Sequence, residues 1–167
     1  ASESQYVTID GIDIQSKKVG EYVSGNEIRS SRINVTGGRF VYGLNIARAE
    51  DTITPLTYID VTSSYYAVGI QVGDGKNNNI SGYVYSKADD TAYGYYSTAM
   101  ATGVTDNTNV SKLYLQQVEA PNAVGVRIEG AKNTELSSAT YNIYGENVKA
   151  IELVPDYMGN KVTDVNI

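Results

Sequence analysis

The chain has 167 residues and a formal net charge of −6 at pH 7, a length that fits a single domain. Its 13 Lys and Arg residues are scattered among 19 Asp and Glu residues, which argues against a nucleic-acid partner because no basic stripe could displace phosphate counterions. The absence of His and Cys excludes His-dependent nucleophiles, zinc and haem centres and disulfides, so we expect no cofactor. No apolar run is long enough to cross a membrane, and we expect no membrane insertion.

A six-residue signature, apolar at its first, fourth and sixth positions, recurs seven times at spacings of 21 to 30 residues. Such a period is typical of a solenoid. Only Ser30 is polar among the positions that define the signature. The seven copies are Ile9/Ile12/Ile14, Ser30/Ile33/Val35, Leu56/Ile59/Val61, Ile80/Tyr83/Tyr85, Val110/Leu113/Leu115, Leu136/Ala139/Tyr141 and Val162/Val165/Ile167.

A second signature follows the first in five of the repeats. Both signatures alternate with period two and are rich in Val, Ile and Tyr, so each repeat supplies at least two short strands and no helix. The glycines of the second signature predict a bend where a Cβ would collide with the neighbouring coil, and position 150, which carries Ala, predicts a looser constraint there. The copies are Tyr42-Gly43-Leu44-x-Ile46, Val68-Gly69-Ile70-x-Val72, Tyr93-Gly94-Tyr95-Tyr96, Val124-Gly125-Val126-x-Ile128 and Lys149-Ala150-Ile151-x-Leu153.

Asn residues precede the incoming strands, where a sharp corner needs a residue that tolerates the left-handed conformation. We expect their side chains to hydrogen-bond from coil to coil. They are Asn26, Asn77 to Asn79, Asn107, Asn109, Asn133 and Asn160.

A repeat of about 25 residues without a helix cannot bury its apolar face alone, so successive repeats must stack with parallel strands about 4.8 Å apart. From Ile9 to Ile167 the Gly-led strand and the Asn-rich turn resemble the coils of right-handed parallel β-helix proteins, the pectate-lyase-like enzymes and phage tailspikes. The resemblance implies an all-β fold, a single-stranded right-handed parallel β-helix of about six to seven coils. We expect residues 1–167 to form one such domain and to be a segment of a longer protein.

Fifteen tyrosines against one Phe and no Trp are the most unusual feature of the composition. One group is predicted at or beside inward strand positions, as an aromatic core ladder: Tyr42, Tyr83, Tyr85, Tyr93, Tyr95 and Tyr141. A second group is predicted in turns or on outward faces, either as surface decoration or as a platform for sugar rings: Tyr65, Tyr66, Tyr114 and Tyr144.

Charged and aromatic residues also recur in the connection between the two strands of each repeat. Adjacent coils would place them about 5 Å apart and alternate coils about 10 Å apart, which brackets the separation of glycosidase acid and base pairs. The alternative is that they are solvated turn residues. The column consists of Arg39, Tyr65, Tyr66, Asp89, Asp90, Glu119 and Glu146.

The other turn carries a second acidic column, Asp51, Asp74, Asp106 and Asp156, interrupted by Lys132. Oxygen ligands in stacked turns can hold calcium. We prefer a corner preference of Asp, and expect no metal site.

Two functions stay open. The first is a structural module that recognises a surface glycan, as in a tailspike or bacterial adhesin, with Arg39, Tyr65, Tyr66, Tyr114, Tyr144 and Glu146 as its ligand-binding residues. The second is a polysaccharide hydrolase or lyase that uses Asp89 or Asp90 with Glu119 as acid and base. We prefer the first, because the scaffold is well specified whereas the catalytic constellation is generic. The chain also departs from the resembled enzymes, since no Arg and Lys are evident beside a carboxylate cluster on neighbouring strands, as the lyases use.

The expected partner is a surface polysaccharide, and the expected location is extracellular or on a virion surface. An open β-helix end exposes unpaired strands, so we also expect a homo-oligomer such as a trimer, or a partner chain that caps the end.

Overall fold

A computed structural model of the chain describes residues 8–17, 21–28, 32–98, 106, 108–137 and 140–167. These residues form strands and turns, and no helix occurs among them. The described residues therefore contain no helix that could cross a membrane. The strands are β1 (Thr8–Gln15), β2 (Val23–Ser24), β3 (Arg32–Thr36), β4 (Phe40–Ala47), β5 (Ala49–Glu50), β6 (Ile53–Ser63), β7 (Tyr66–Gly73), β8 (Asn79–Ala88), β9 (Thr91–Thr98), β10 (Asn109–Glu119), β11 (Asn122–Glu129), β12 (Lys132–Ser137), β13 (Thr140–Tyr144), β14 (Asn147–Val154) and β15 (Thr163–Asn166). The pairings between them are parallel, which confirms the all-β class and is compatible with a solenoid.

The first sheet has the order β1-β4-β7-β9-β11-β14 and contains the second signature. Its inward residues are in register from strand to strand, so Leu44 pairs with Ile70 and Ile70 with Tyr95. All three are fully buried. This sheet also contains β1, because Ile12 pairs with Leu44. The assignment of Ile9, Ile12 and Ile14 to the first signature was therefore wrong.

The second sheet has the order β3-β6-β8-β10-β12-β15, and β13 also pairs with β10. Ile33, Ile59 and Val84 are register partners whose side chains are buried against the first sheet. A third, short sheet joins β2 to β5, and single bridges continue it along one corner from Glu50 through Lys76, Asp106 and Lys132. Charges of opposite sign therefore alternate along this corner.

The glycine column lies where the two large sheets meet, as the sequence predicts. A Cβ at Gly43 would lie 2.7 Å from the carbonyl oxygen of Gly69, and one at Gly69 would lie 2.7 Å from that of Gly94. The same collision recurs between Gly94 and Gly125 at 2.8 Å. Ala150 lies on β14, the outermost strand of the first sheet, where no described strand follows it. No carbonyl oxygen of a following described strand therefore approaches the Cβ of Ala150, which explains why position 150 tolerates a methyl group.

The corners adopt left-handed backbone conformations, but only some of the predicted Asn residues carry them. Asn77 and Asn133 have φ values of 51° and 48°, whereas Gly25 takes this conformation instead of Asn26. Asn133 donates to the carboxylate of Asp106 in the adjacent repeat at 2.8 Å, so its partner is an Asp and not the Asn that the prediction requires. A hydrogen bond between Asn side chains of adjacent repeats joins Asn147 to Asn122 at 3.0 Å, two residues that the prediction did not include. Asn107 lies outside the described residues.

Two tyrosines of the first signature face outward rather than inward. Tyr85 is 40% exposed, while Val84 beside it is fully buried. The neighbouring strand β10 has an extra residue between two inward positions, where Val110 and Leu113 pair with Ile80 and Gly82 of β8. Because β8 lacks that residue, the six-residue signature placed Tyr83 and Tyr85 in the wrong phase.

The tyrosine core is consequently smaller than predicted. Tyr95 is fully buried, and Tyr141 packs against the core half-buried. Tyr42, Tyr83 and Tyr93 are half-buried on outward faces, where they contact other tyrosine rings.

Candidate functional site

A cleft opens where strands of the second sheet end and their turns cross to the first sheet. Its volume is about 710 Å³. We call it the turn cleft; its lining consists of Lys87–Asp89, Gln116, Gln117, Glu119–Pro121 and Tyr144–Glu146. Four residues that the sequence marked as site candidates meet there, namely Asp89, Glu119, Tyr144 and Glu146.

Strand register explains why these residues converge. Lys87, Glu119 and Tyr144 are partners at the ends of three adjacent parallel strands, so their side chains lie side by side on one edge. Asp89 and Glu146 follow in the turns that leave β8 and β13. Tyr144 is 55% exposed, which leaves much of its ring open to a ligand.

Glu119 is held in its ionised form by two donors. The Lys87 ammonium donates to Oε1 at 2.7 Å, and the amide of Gln117 donates to Oε2. These hydrogen bonds, with that from Lys87 the stronger influence, hold the pKa of Glu119 below its ordinary value. A carboxyl that must protonate a leaving group needs a raised pKa, so Glu119 is poorly suited to act as a general acid.

The other two carboxylates of the cleft have no such support. Within the described part of the chain, no donor or basic side chain pairs with the carboxylates of Asp89 and Glu146. Because the one ammonium of the lining is paired with Glu119, the cleft carries uncompensated negative charge.

Asp90 lies apart from this group. It does not line the turn cleft, and its carboxylate accepts a hydrogen bond from the Thr91 hydroxyl at 2.8 Å. Its backbone N–H bonds to the carbonyl of Tyr65. The predicted single column therefore divides in two, with Asp90 aligned on Tyr65 and Glu119 aligned on Lys87.

Arg39, Tyr65 and Tyr66 form a separate aromatic cluster around Phe40. The Arg39 guanidinium lies 4.6 Å from the centroid of the Tyr65 ring, and the Tyr65 ring meets Phe40 edge-on at 5.8 Å. Tyr66 packs between Phe40 and Tyr93, with centroids 5.9 and 5.5 Å away. These ring contacts make Tyr66 a packing residue, and its burial raises the pKa of its hydroxyl.

Tyr114 belongs to a third location, a tyrosine ladder on the outward face of the second sheet. Tyr58, Tyr83 and Tyr114 are register partners, and their rings stack at 4.7 and 4.8 Å with interplanar angles of 10° and 17°. Each ring covers a face of the next. Tyr114 therefore offers a sugar one face at most.

Sequence reasoning missed Lys87 and Gln117, which fix the charge of Glu119, and a second depression of about 340 Å³ on the second sheet. Asp60 and Tyr85 line this depression as register partners, together with Arg32 and Tyr58. Their alternation with buried Ile59 and Val84 is the signal that would have placed them outward.

Sequence reasoning also missed a charged network on β11 and β14. Arg127 donates to Glu129 and Glu152, and Lys149 donates to Glu152. The expectation that no Arg and Lys lie beside carboxylates on neighbouring strands was thus wrong. These cations are paired with carboxylates of the same network, which leaves them little capacity to bind an acidic substrate.

The second acidic column does not exist as predicted. The N–H of Asp51 bonds to the carbonyl of Lys76 next to Asn77, whereas the N–H of Arg48 bonds to the carbonyl of Gly73 next to Asp74. Asp51 and Asp74 therefore occupy different corners. Among the described residues no group of three or more Asp or Glu side chains is arranged to hold a metal ion.

Comparison with family models, curated proteins and solved structures found no match.

Proposed function

We propose that the chain winds as a right-handed parallel β-helix of about six to seven coils and recognises a surface glycan, in the manner of a tailspike or adhesin segment. The turn cleft is the binding site. Support for the winding comes from two parallel sheets whose neighbouring strands belong to successive repeats. The resemblance in sequence supports the location, which is extracellular or on a virion surface.

The turn cleft is the single observation that carries the proposal. Its volume lies in the range of small-molecule sites, and it combines an exposed ring, Tyr144, with the exposed apolar ring of Pro121. Sugar hydroxyls donate to carboxylates and amides, and the lining offers Asp89, Glu146 and the glutamine side chains for this purpose. A sugar ring seated on Tyr144 would present its hydroxyls to these groups.

Charge narrows the class of glycan. Asp89 and Glu146 leave the cleft negative, and the whole chain carries −6 at pH 7. Acidic polysaccharides would be repelled, most strongly at low ionic strength. The proposal is therefore for a neutral polysaccharide, or one that carries amino groups.

A polysaccharide hydrolase or lyase is the alternative, and one observation favours it: Asp89, Glu119 and Glu146 share one cleft. Against it, the lowered pKa of Glu119 does not suit a general acid. Recognition without cleavage needs no such acid, and we prefer it.

The test is a panel of neutral, amino and acidic polysaccharides, with binding followed by calorimetry and chain length by size-exclusion chromatography. We expect neutral or amino polymers to bind without shortening. Tyr144→Ala and Asp89→Asn should weaken binding roughly tenfold each, the loss expected of a stacked ring or a charged hydrogen bond. Tyr157→Ala, which removes a 70% exposed ring outside the cleft, is the matched control.

Two results would contradict the proposal. Equal binding by the wild type and Tyr144→Ala would show that the turn cleft is not the binding site. Shortened polymer that disappears with Asp89→Asn or Glu119→Gln would establish the hydrolase instead.

A further inference from the structure

The tyrosine ladder of Tyr58, Tyr83 and Tyr114 is a feature that glycan recognition does not explain. Three strands, β6, β8 and β10, each place a tyrosine at the same outward register position. Parallel strands are about 4.8 Å apart, so the rings are held in contact by the backbone as well as by their own attraction. The ladder thus joins segments that lie far apart in the chain.

We propose that the tyrosine ladder is a site of oxidative cross-linking, at which a one-electron oxidant converts neighbouring rings to dityrosine. Each of two phenols loses one electron and one proton to give a phenoxyl radical. The radicals form a carbon–carbon bond between positions ortho to the hydroxyls, and each ring becomes a phenol again when the hydrogen on that carbon moves to the oxygen. With hydrogen peroxide as the ultimate oxidant, two electrons and two protons reduce it to two molecules of water.

The contacts favour coupling within the ladder. The ring centroids are 4.7 and 4.8 Å apart, and the planes are nearly parallel, at 10° and 17°, so each ring lies face to face with the next within reach of coupling. Tyr58 is 51% exposed, so an oxidant can reach the ladder at that end. No described side chain accepts a hydrogen bond from the three hydroxyls, so their protons can pass to water.

A cross-link in another stacked pair, Tyr93 and Tyr96, would not join two strands. Its centroids are 5.2 Å apart, but both rings belong to β9, and the Tyr96 hydroxyl donates to Glu129 at 2.8 Å. Coupling there would close a loop within one strand. Coupling in the ladder would join β8 covalently to β6 or to β10 and restrain the unfolded chain, as a disulfide does.

The experiment treats the dilute full chain with a haem peroxidase and hydrogen peroxide. Dityrosine is followed by its fluorescence, and the joined peptides are identified by mass spectrometry after proteolysis. We expect a cross-link within one chain from Tyr83 to Tyr58 or Tyr114. It should be lost in Tyr83→Phe, because Tyr58 and Tyr114 lie two strands apart, and retained in Tyr85→Phe, which removes an exposed ring of the same strand.

A second measurement tests whether the cross-link stabilises the fold. The cross-linked wild type should unfold at a higher urea concentration than the untreated protein, and Tyr83→Phe should show no such shift after the same treatment. Wild-type yield in Tyr83→Phe, cross-links found only between chains, or equal yield from urea-unfolded wild type would each overturn the proposal.

Discussion

At the scale of single residues, the glycine column shows how one missing methyl group lets neighbouring strands approach closely. A Cβ at Gly69 would lie 2.2 Å from Cγ1 of Val84 and 2.7 Å from the backbone oxygen of Gly94. The Val84 side chain could rotate, but the backbone oxygen belongs to a paired strand and cannot move alone. Glycine is therefore needed here for space, and its backbone freedom is secondary.

We predict that Gly69→Ala lowers the free energy of unfolding by about 3 kcal/mol, the upper range for overpacking a well-packed core. Ala150→Gly is the matched control at the same column on the outermost strand, and we expect it to cost about 1 kcal/mol or less. Urea denaturation measures both changes. Equal losses in the two variants would mean that close approach between strands is not the cause.

A second prediction at this scale concerns the buried carboxylate of Asp156, which organises the turn before β15. It accepts hydrogen bonds from the backbone N–H groups of Met158 and Asn160 at 2.9 and 2.8 Å, and from the Asn160 side chain at 2.7 Å. Burial alone would raise the pKa of Asp156, but these donors outweigh burial and hold it below the ordinary value. Its stabilising contribution is therefore present above about pH 4 and is lost as the pH falls through the lower folded-state pKa.

Asp156→Asn should destabilise the protein by about 1–2 kcal/mol at neutral pH, because a charged acceptor is replaced by a neutral one. The difference from wild type should begin to shrink below about pH 4, where this carboxyl takes up a proton in the unfolded chain, and should be lost once the pH falls below the lower pKa of the folded state. Urea denaturation at a series of pH values measures this, with Asp164→Asn, an exposed carboxylate on β15, as the control. Parallel curves for the wild type and Asp156→Asn at all pH values would contradict the assignment.

At the scale of elements, the sequence predicted two strands per repeat and part of their inward residues. Ile59, Val61, Leu113 and Leu115 are buried as expected, whereas Leu56 and Ile167, which the same signature predicted to be inward, are 38% and 68% exposed. The prediction of Tyr83 and Tyr85 was wrong because a one-residue bulge in the neighbouring strands is absent from β8. A fixed signature cannot reveal such a difference in length.

The site was predictable to a similar extent. The sequence marked Asp89, Glu119, Tyr144 and Glu146, which share the turn cleft, because the connection after the first strand recurs in each repeat. It could not show that Glu119 is paired with Lys87, since that contact depends on the register between strands. Nor could it show that Tyr114 is covered by Tyr83.

At the scale of the whole molecule, a strand that is paired on both sides is less exposed, and opens less readily, than a strand that is paired on one side. The first sheet has β7 and β9 at its centre and β14 at one edge, where Val148 and Leu153 are 45% and 46% exposed. In a stack of repeats, opening begins at the ends because terminal units lack a neighbour. If the capping partner predicted from the sequence exists, this exposed apolar edge is where it would bind.

We predict that amides of β14 and β15 exchange with deuterium faster than those of β7 and β9, and that protein concentration leaves this order unchanged. A second copy stacked in register on β14 would bring a backbone oxygen against the methyl group of Ala150, since the glycine column places that oxygen 2.6 to 2.8 Å from each Cβ position of the described strands. Hydrogen-exchange mass spectrometry at two concentrations makes the measurement. Protection of β14 that rises with concentration would show that copies of the chain cover this edge, and the steric argument from Ala150 would then fail. Protection that instead appears only with an added partner would fit a cap of different shape, one that contacts Val148 and Leu153 without continuing the strand register.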